Sequence, residues 1–273
     1  MKTTAFFLSD GTGITVETLG HTLFSHFDTM EFTRVRHPYL LTLDEVKKVV
    51  KEINDASKKS TLPVLVFSSL VSEESRTLLH NCNCLLFDIY DIFIKPMESK
   101  LNIDSSRQIG RSHGMGTFDD YKHRIDALNF TMENDDGENI RNYEMADVII
   151  IGVSRSGKTP TSLYLALNYG INTANYPLTI EDLNSENLPS ILKGFETKLF
   201  GLTINPIRLH HIRKERRSNS RYAELAQCQF ETRSAEVLYK KFQIPCLDTS
   251  TMSIEEIATS ILNVKQIQRR INE

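Results

Sequence analysis

The chain has 273 residues, carries a net charge of −3 and is 40% hydrophobic. This length supports one large hydrophobic core or two modest ones, and two domains are the better expectation for an α/β protein of this size. The nearly balanced charge argues against a dedicated nucleic-acid binder and favours a protein or small-molecule partner.

Cysteine usage and the longest apolar runs bear on the location of the protein. The four cysteines are too few and too irregularly spaced for a disulfide framework, so we expect reduced thiols. The apolar run at residues 5–8 is too short for a secretory signal, and no apolar run approaches membrane-spanning length. These features predict a cytoplasmic protein without a membrane partner.

The first half of the sequence alternates short apolar strands with amphipathic helices. Strands are predicted near residues 5–8, 32–40, 62–67 and 84–89, with helices between them. The helix at 42–53 opens with the capping-box spacing of Thr42 and Glu45. The first helix is expected to bury Val16, Leu19, Leu23 and Phe27. Alternation of this kind implies parallel strands with right-handed crossovers, so we predict an N-terminal doubly wound parallel-sheet domain.

A polar loop, residues 9–13, follows the first predicted strand and contains Asp10, Gly11 and Gly13. A strand, a glycine-containing loop and a helix together form the geometry that binds anions at the carboxyl edge of a parallel sheet. Many connections of this kind have no special function, so an ordinary turn remains the alternative.

The regular pattern loosens between residues 96 and 143, where only residues 121–132 regain helical spacing before the Asp135-Asp136-Gly137 run breaks it. We interpret this stretch as a linker or lid at the end of a first domain spanning 1–143, followed by a second domain spanning 144–273. The alternative is that Arg111 and His113 face a bound phosphate, since histidine exchanges a proton near neutral pH.

Residues 152–159 match G-x-x-x-x-G-K-[ST], the phosphate-binding loop or P-loop. The apolar run 148–151 before it predicts a buried strand and the segment 158–169 after it predicts a helix, which is the setting the motif requires. In such loops backbone N–H groups bind phosphate oxygens, while Lys158 would contact the terminal phosphates and Thr159 a Mg²⁺ ion. The alternative is a glycine turn with an incidental lysine. The predicted nucleotide-binding residues are Gly152, Val153, Ser154, Arg155, Ser156, Gly157, Lys158 and Thr159.

Further strands are predicted at 173–177 and 198–204. The second of these ends at Asn205, where P-loop proteins commonly place an acid that holds the metal. Because Asn205 precedes Pro206, we interpret it as the N-cap of a helix instead. The metal-side acid must then come from elsewhere, and Asp182 and Asp10 are the candidates. Together these elements predict a P-loop kinase-like α/β domain.

The helix after Pro206 carries Arg213, Arg216 and Arg217 at a spacing that predicts one shared face. Such a run is either a solvated surface or a docking surface for a partner or its phosphate. A short strand at 244–248 and a last helix, which opens with the capping-box spacing of Ser253 and Glu256, complete the chain. The apolar positions of that last helix are expected to be core, and they are Ile254, Ile257, Ala258, Ile261 and Val264.

Four stretches carry a family resemblance that extends over the whole chain. They are residues 7–15 (FLSDGTGIT), 152–164 (GVSRSGKTPTSLY), 199–204 (LFGLTI) and 219–222 (NSRY). Together they resemble the bacterial phosphoenolpyruvate synthase regulatory proteins, which are relatives of the pyruvate, phosphate dikinase regulatory proteins. Continuation of the P-loop into Thr-Pro-Thr-Ser-Leu-Tyr is more specific than the loop alone.

This resemblance implies an enzyme with two opposing activities. One transfers a phosphoryl group from ADP to a threonine of the target enzyme, and the other removes it by phosphorolysis with inorganic phosphate, releasing pyrophosphate. Residues 152–159 would be the ADP loop, with Lys158 and Mg²⁺ offsetting the charge of the transferred group. Phosphoenolpyruvate synthase is the implied protein substrate, while the dikinase as target and a homodimeric state stay open.

The target hydroxyl needs a proton acceptor or an orienting acceptor. Asp10, His113 and Asp182 are the candidates, in no fixed order. Two other interpretations suit the P-loop alone. One is an ATP-dependent kinase acting on a small metabolite or a nucleotide, and the other is a nucleotide-responsive binding module without transfer chemistry.

Overall fold

The structure is a computed structural model of the chain and describes residues 1–106, 118–137, 140–185, 187–217 and 220–268. The chain divides into two compact units, Met1–Gly114 and Met115–Glu273. This division lies nearer the N-terminus than the expected boundary after residue 143. It does so because the helix Phe118–Glu133 packs against helix and strand elements of the second unit.

The first unit is built on a parallel four-stranded sheet with the order β2-β1-β3-β4. Its elements are β1 (Lys2–Leu8), α1 (Ile14–Phe24), β2 (Glu31–His37), α2 (Leu43–Lys59), β3 (Leu65–Ser68), α3 (Glu73–His80), β4 (Leu85–Asp88) and α4 (Lys95–Leu101). A π-helical turn, Tyr90–Ile94, leads into α4. The predicted capping box of Thr42 and Glu45 is present at the start of α2.

Successive residues of β1 bury their side chains on opposite faces of this sheet, as the pleat of a strand requires. Phe6 and Leu8 pack into the core formed with α2 and α3. Ala5 and Phe7 pack into the core formed with α1. Helices therefore cover both faces, and the predicted doubly wound parallel sheet is confirmed.

Helix α1 buries a different stripe from the one predicted. Val16 is buried as expected, but Leu23 and Phe27 are 38% and 56% exposed. The other buried positions are Gly20 and Phe24. A Cβ at Gly20 would overlap the ring of Phe7, so the close approach of helix and sheet at this glycine decides which face of α1 turns inward.

The second unit has its own parallel four-stranded sheet, with the order β6-β5-β7-β8. Its elements are α5 (Phe118–Glu133), β5 (Val148–Gly152), α6 (Lys158–Tyr169), β6 (Thr173–Pro177), α7 (Ile180–Ser185), β7 (Leu199–Thr203), α8 (Pro206–Arg216), α9 (Leu225–Lys241), β8 (Cys246–Asp248) and α10 (Ile254–Lys265). Single 3₁₀ turns at Asp135–Gly137 and Arg221–Ala223 also contribute to the site described below.

Strand β5 is the centre of this unit, and every one of its residues is buried. Val148 and Ile150 face the core made with α6 and α10. Ile149 and Ile151 face the core made with α5, α8 and α9. The strand that precedes the P-loop is thus held on both faces, which supports a P-loop kinase-like α/β unit.

Helix α10 begins at the predicted capping box, where the Ser253 hydroxyl accepts from the backbone N–H of Glu256. It buries Ile257, Ala258, Ile261 and Leu262. The predicted stripe is wrong at its two ends, because Ile254 and Val264 are 38% and 55% exposed. Within the described part of the chain, no helix has the length and apolar character needed to cross a membrane.

Candidate active site

The predicted P-loop joins the carboxyl end of β5 to the first turn of α6, at the sheet edge where α/β proteins bind ligands. Gly157 has a φ of 95°, and an added Cβ would meet nothing within 4 Å. Its conformation favours glycine and leaves open space beside the helix N-terminus, where backbone N–H groups attract anions. At Gly152 an added Cβ would lie 2.7 Å from the carbonyl oxygen of Leu202, so close packing requires glycine there.

Two polar side chains of this loop are buried with few hydrogen bonds to offset the loss of water. Ser156 is 1% exposed, and its hydroxyl oxygen has no hydrogen-bond partner. Lys158 is 5% exposed, and its ammonium donates to the carbonyl oxygen of Val153 at 3.3 Å. Burial lowers the pKa of Lys158 to about 8, although Asp136 and Asp135 act in the opposite direction. A buried cation whose hydrogen bond is to a neutral carbonyl is the arrangement expected of a site that binds an anion.

A carboxylate lies against the threonine predicted to hold Mg²⁺. The Thr159 hydroxyl donates to Asp135 Oδ1 at 2.9 Å. Asn175, fully buried in β6, donates to the same carboxylate oxygen, and its own amide oxygen accepts from the backbone N–H of Asp136 at 3.1 Å. A hydroxyl beside a carboxylate is the oxygen-ligand set that Mg²⁺ prefers, so these residues fit the ion.

Asp135 was missed from the sequence, where the Asp135-Asp136-Gly137 run was interpreted only as a break after a helix. The sequence signal was two acids at a helix end, which occurs in many turns without function. The 3₁₀ turn Asp135–Gly137 reaches Thr159 because α5 packs on α6 and because the turn itself lies against β6. Only that packing brings residues 24 positions apart into hydrogen-bonding contact.

On its other side the P-loop is held by a buried arginine. Arg213 of α8 is 0% exposed and donates to the carbonyl oxygen of Ser154 at 3.0 Å and to the Glu231 carboxylate at 2.6 Å. Its guanidinium also lies 4.0 Å from the centre of the Tyr222 ring. The hydroxyls of Tyr222 and Ser154 share a hydrogen bond of 2.8 Å, while Thr249 donates to the carbonyl oxygen of Ser156 at 3.1 Å. The loop is therefore anchored by side chains from three separate segments of the chain, namely α8, the turn Arg221–Ala223 and the residue that follows β8.

The proposed docking surface of Arg213, Arg216 and Arg217 is wrong for Arg213. Arg216 and Arg217 are exposed, whereas Arg213 points into the unit toward Glu231. Helical spacing predicts that the three arginines share one face of α8. It does not show which side of the helix the P-loop and α9 cover.

Known proteins with similar sequences indicate the family of this chain. The model of the kinase/pyrophosphorylase family matches residues 5–262. A relative from Alcanivorax borkumensis is 47% identical over 99% of this chain and 100% of its own length. One from Stutzerimonas stutzeri is 46% identical over the same shares, and one from Pseudomonas aeruginosa is 46% identical over 99% of this chain and 98% of its own length. Each is provisionally named a phosphoenolpyruvate synthase regulatory protein.

The chain belongs to the kinase/pyrophosphorylase family. The resemblance found in the sequence is thereby confirmed at the level of the family and of the names its relatives carry. The match includes both units, so the kinase/pyrophosphorylase family is defined by more than the P-loop.

The other predicted site residues of this kinase/pyrophosphorylase chain have varied surroundings. Asp10 lies in the first unit, is 8% exposed, and accepts from the backbone N–H of Val71 at 2.8 Å. Burial raises the pKa of its carboxyl group, and that hydrogen bond partly offsets the increase. Arg111 and His113 lie outside the described residues.

Asp182 stabilises the start of α7. Its Oδ2 accepts from the backbone N–H and hydroxyl of Thr179, each at 2.9 Å, and from the Tyr176 hydroxyl at 3.0 Å. Asn205 is the N-cap of α8, since its side-chain oxygen accepts from the backbone N–H of Ile207 at 2.9 Å. The interpretation of Asn205 as a cap is therefore confirmed, while a catalytic role for Asp10, Asp182 or His113 stays a prediction.

Proposed function

We propose that this protein regulates phosphoenolpyruvate synthase by transferring a phosphoryl group from ADP to a threonine of that enzyme, and by removing it again with inorganic phosphate. Membership of the kinase/pyrophosphorylase family and the names of its relatives support this proposal. The observation that carries it is the open P-loop with buried Lys158, flanked by the Thr159 and Asp135 pair.

In the forward reaction the threonine hydroxyl oxygen attacks the β-phosphorus of ADP. A bond forms between that oxygen and phosphorus, the bond to the bridging oxygen breaks, and AMP leaves while the hydroxyl proton passes to an acceptor. In the reverse reaction an oxygen of inorganic phosphate attacks the phosphothreonine phosphorus. The bond between that phosphorus and the threonine oxygen then breaks, pyrophosphate leaves, and the threonine oxygen takes up a proton.

The P-loop supplies charge and orientation in both directions. Lys158 places a cation beside the transferred group, and its burial keeps that charge poorly screened by water. Backbone N–H groups at the start of α6 bind the non-transferred oxygens. Thr159 and Asp135 would hold Mg²⁺, which when bound offsets negative charge on the phosphates.

We propose the proton acceptor among Asp10, His113 and Asp182. Burial raises the pKa of Asp10, and a carboxylate with a raised pKa is a better base near neutral pH. Asp182 is the weaker candidate, because its Oδ2 already accepts from two groups of Thr179 and from Tyr176.

Incubation of purified phosphoenolpyruvate synthase with this protein and ADP, followed by mass spectrometry, tests the proposal. We expect one phosphorylated threonine and one AMP per event, with loss of synthase activity. Inorganic phosphate should then remove the phosphoryl group and yield pyrophosphate. Lys158→Met should abolish transfer while preserving the fold, whereas Lys214→Met, at an exposed lysine of α8, should behave as wild type.

Two outcomes would replace this proposal by another function. Transfer from ATP to a small molecule in the absence of the synthase would identify a metabolite or nucleotide kinase. Binding of ADP without any transfer would identify a nucleotide-responsive module. The second outcome would suit a site without a metal-side acid, which is what Asn205 at the usual acid position suggested. Asp135 lies beside Thr159 and supplies a carboxylate, so its presence argues against that outcome.

A further inference from the structure

A groove runs between α7 and α9 and consists of two adjoining pockets of about 410 Å³ each. Both pockets are lined by Asn184 and Phe230, so they lie side by side along the groove. Tyr222 and Arg221 line the inner pocket, and Val237 lines the outer one.

The inner end of this groove adjoins the part of the P-loop where a terminal phosphate belongs. The lysine of a P-loop contacts the terminal phosphates, and Lys158 Nζ lies 3.3 Å from the carbonyl oxygen of Val153. The next residue, Ser154, is hydrogen-bonded to Tyr222 at 2.8 Å. A group that attacks the terminal phosphorus approaches it from the side opposite the rest of the nucleotide. The inner end of the groove therefore lies where the acceptor enters.

The lining of the groove suits a polypeptide. Ile180, Phe230 and Val237 are 48%, 42% and 54% exposed, which leaves apolar surface available for a side chain. Asn184 offers an amide donor and an amide acceptor of the kind that pair with a peptide backbone. Gln227, whose Nε2 donates to Glu231 at 3.0 Å, offers its amide oxygen.

The charge of the groove favours an acidic occupant. Arg221 lines the inner pocket and Arg233 the outer one. Among the described residues that line the two pockets, the one carboxylate is Glu231, and Arg213 neutralises it at 2.6 Å. Arginine binds carboxylates and phosphates in a bidentate manner, so the groove complements a segment that carries a carboxylate or a phosphothreonine.

We propose that the groove between α7 and α9 binds the threonine-bearing surface segment of the protein substrate, with the threonine at the Tyr222 end and an apolar side chain against Phe230. This inference rests on the proposed function, because it names where the substrate of that reaction docks. The segment is acidic or becomes so when phosphorylated. The same groove therefore serves both directions of the reaction.

A matched pair of substitutions tests the groove. Val237→Asp places a negative charge in its outer pocket, and Val264→Asp places the same charge on α10 at nearly equal exposure, 54% against 55%. The affinity of each full-length variant for purified phosphoenolpyruvate synthase is measured by interferometry in the presence of ADP. We expect about tenfold weaker binding for Val237→Asp, a loss typical of a buried interface position, and no change for Val264→Asp. The affinity for ADP alone should be unchanged in both variants.

Phe230→Ala is a second, neutral test, and it should raise the KM for the synthase more than it changes kcat.

Equal synthase affinity for Val237→Asp, Val264→Asp and the wild type would overturn the groove, even if phosphoryl transfer is observed. A parallel loss of ADP affinity in Val237→Asp would also overturn it, since the groove would then hold the nucleoside. If the wild type binds the synthase but transfers no phosphate, the proposed reaction fails while the binding comparison still decides the groove. Absence of any binding to the synthase would refute both.

Discussion

Replacing Arg213 tests whether this buried arginine holds the P-loop in its binding conformation. The guanidinium is 0% exposed, pairs with Glu231 at 2.6 Å, and donates to the carbonyl oxygens of Ser154 and Tyr222 at 3.0 Å each. Arg213→Met replaces the guanidinium with an unbranched apolar side chain and so leaves the Glu231 carboxylate buried without its cation. Loss of one partner from a buried ion pair destabilises a protein by about 3–5 kcal/mol.

The second unit spans Met115–Glu273. At this size each kcal/mol lowers the melting temperature by about 2–4 °C, so we expect Arg213→Met to lower the melting temperature of this unit by about 6–20 °C. Arg216→Met is the matched control, because Arg216 is exposed on the same helix and its loss should change stability by no more than about 0.5 kcal/mol. Calorimetry of the full-length variants measures both effects.

A double variant separates stability from positioning. Arg213→Met combined with Glu231→Leu removes both charges and should recover most of the lost stability. It should still bind ADP more weakly than the wild type, because the Ser154 carbonyl and Tyr222 lose the guanidinium that holds them. A melting temperature for Arg213→Met within about 2 °C of the wild type would refute the energetic argument. Wild-type ADP affinity in the double variant would refute the positioning role.

Three further predictions follow from single contacts. Asp135→Asn should leave the fold intact, because Asn175 and Thr159 keep a hydrogen-bonding partner, but it should raise the Mg²⁺ concentration needed for half-maximal transfer; an unchanged Mg²⁺ titration would remove Asp135 from the metal site. Gly20→Ala should destabilise the first unit by about 1–3 kcal/mol through overlap with Phe7, as measured by denaturant unfolding, whereas unaltered stability would mean that α1 shifts without cost. Asn205→Ala should cost about 1 kcal/mol through loss of the α8 cap, while Asn205→Asp should keep both stability and transfer rate; a loss of transfer in Asn205→Asp would instead assign Asn205 to the chemistry.

The features that the sequence determined are those that depend on residues close together in the chain. The strand at 148–151, the glycine conformation at 157 and the helix that follows are local consequences of an apolar run, a left-handed turn and helical spacing. The same holds for the capping boxes at Thr42 and Ser253 and for the Asn205 cap. Strand and helix alternation likewise predicted the parallel sheet of the first unit, since crossover connections restrict how such chains fold.

The tertiary structure decided which faces are buried and which distant residues meet. Helix α1 buries Gly20 and Phe24 and not the predicted Leu23 and Phe27. The reason is that contact with Phe7 of the sheet, and not helical spacing, decides where the helix approaches. Likewise α5 joined the second unit because an amphipathic helix does not specify which surface it will cover. Asp135 and Arg213 reach the P-loop from residues 24 and 59 positions away in sequence. Contacts at such separations depend on the packing of whole helices, and no local pattern of residue types encodes that packing by itself.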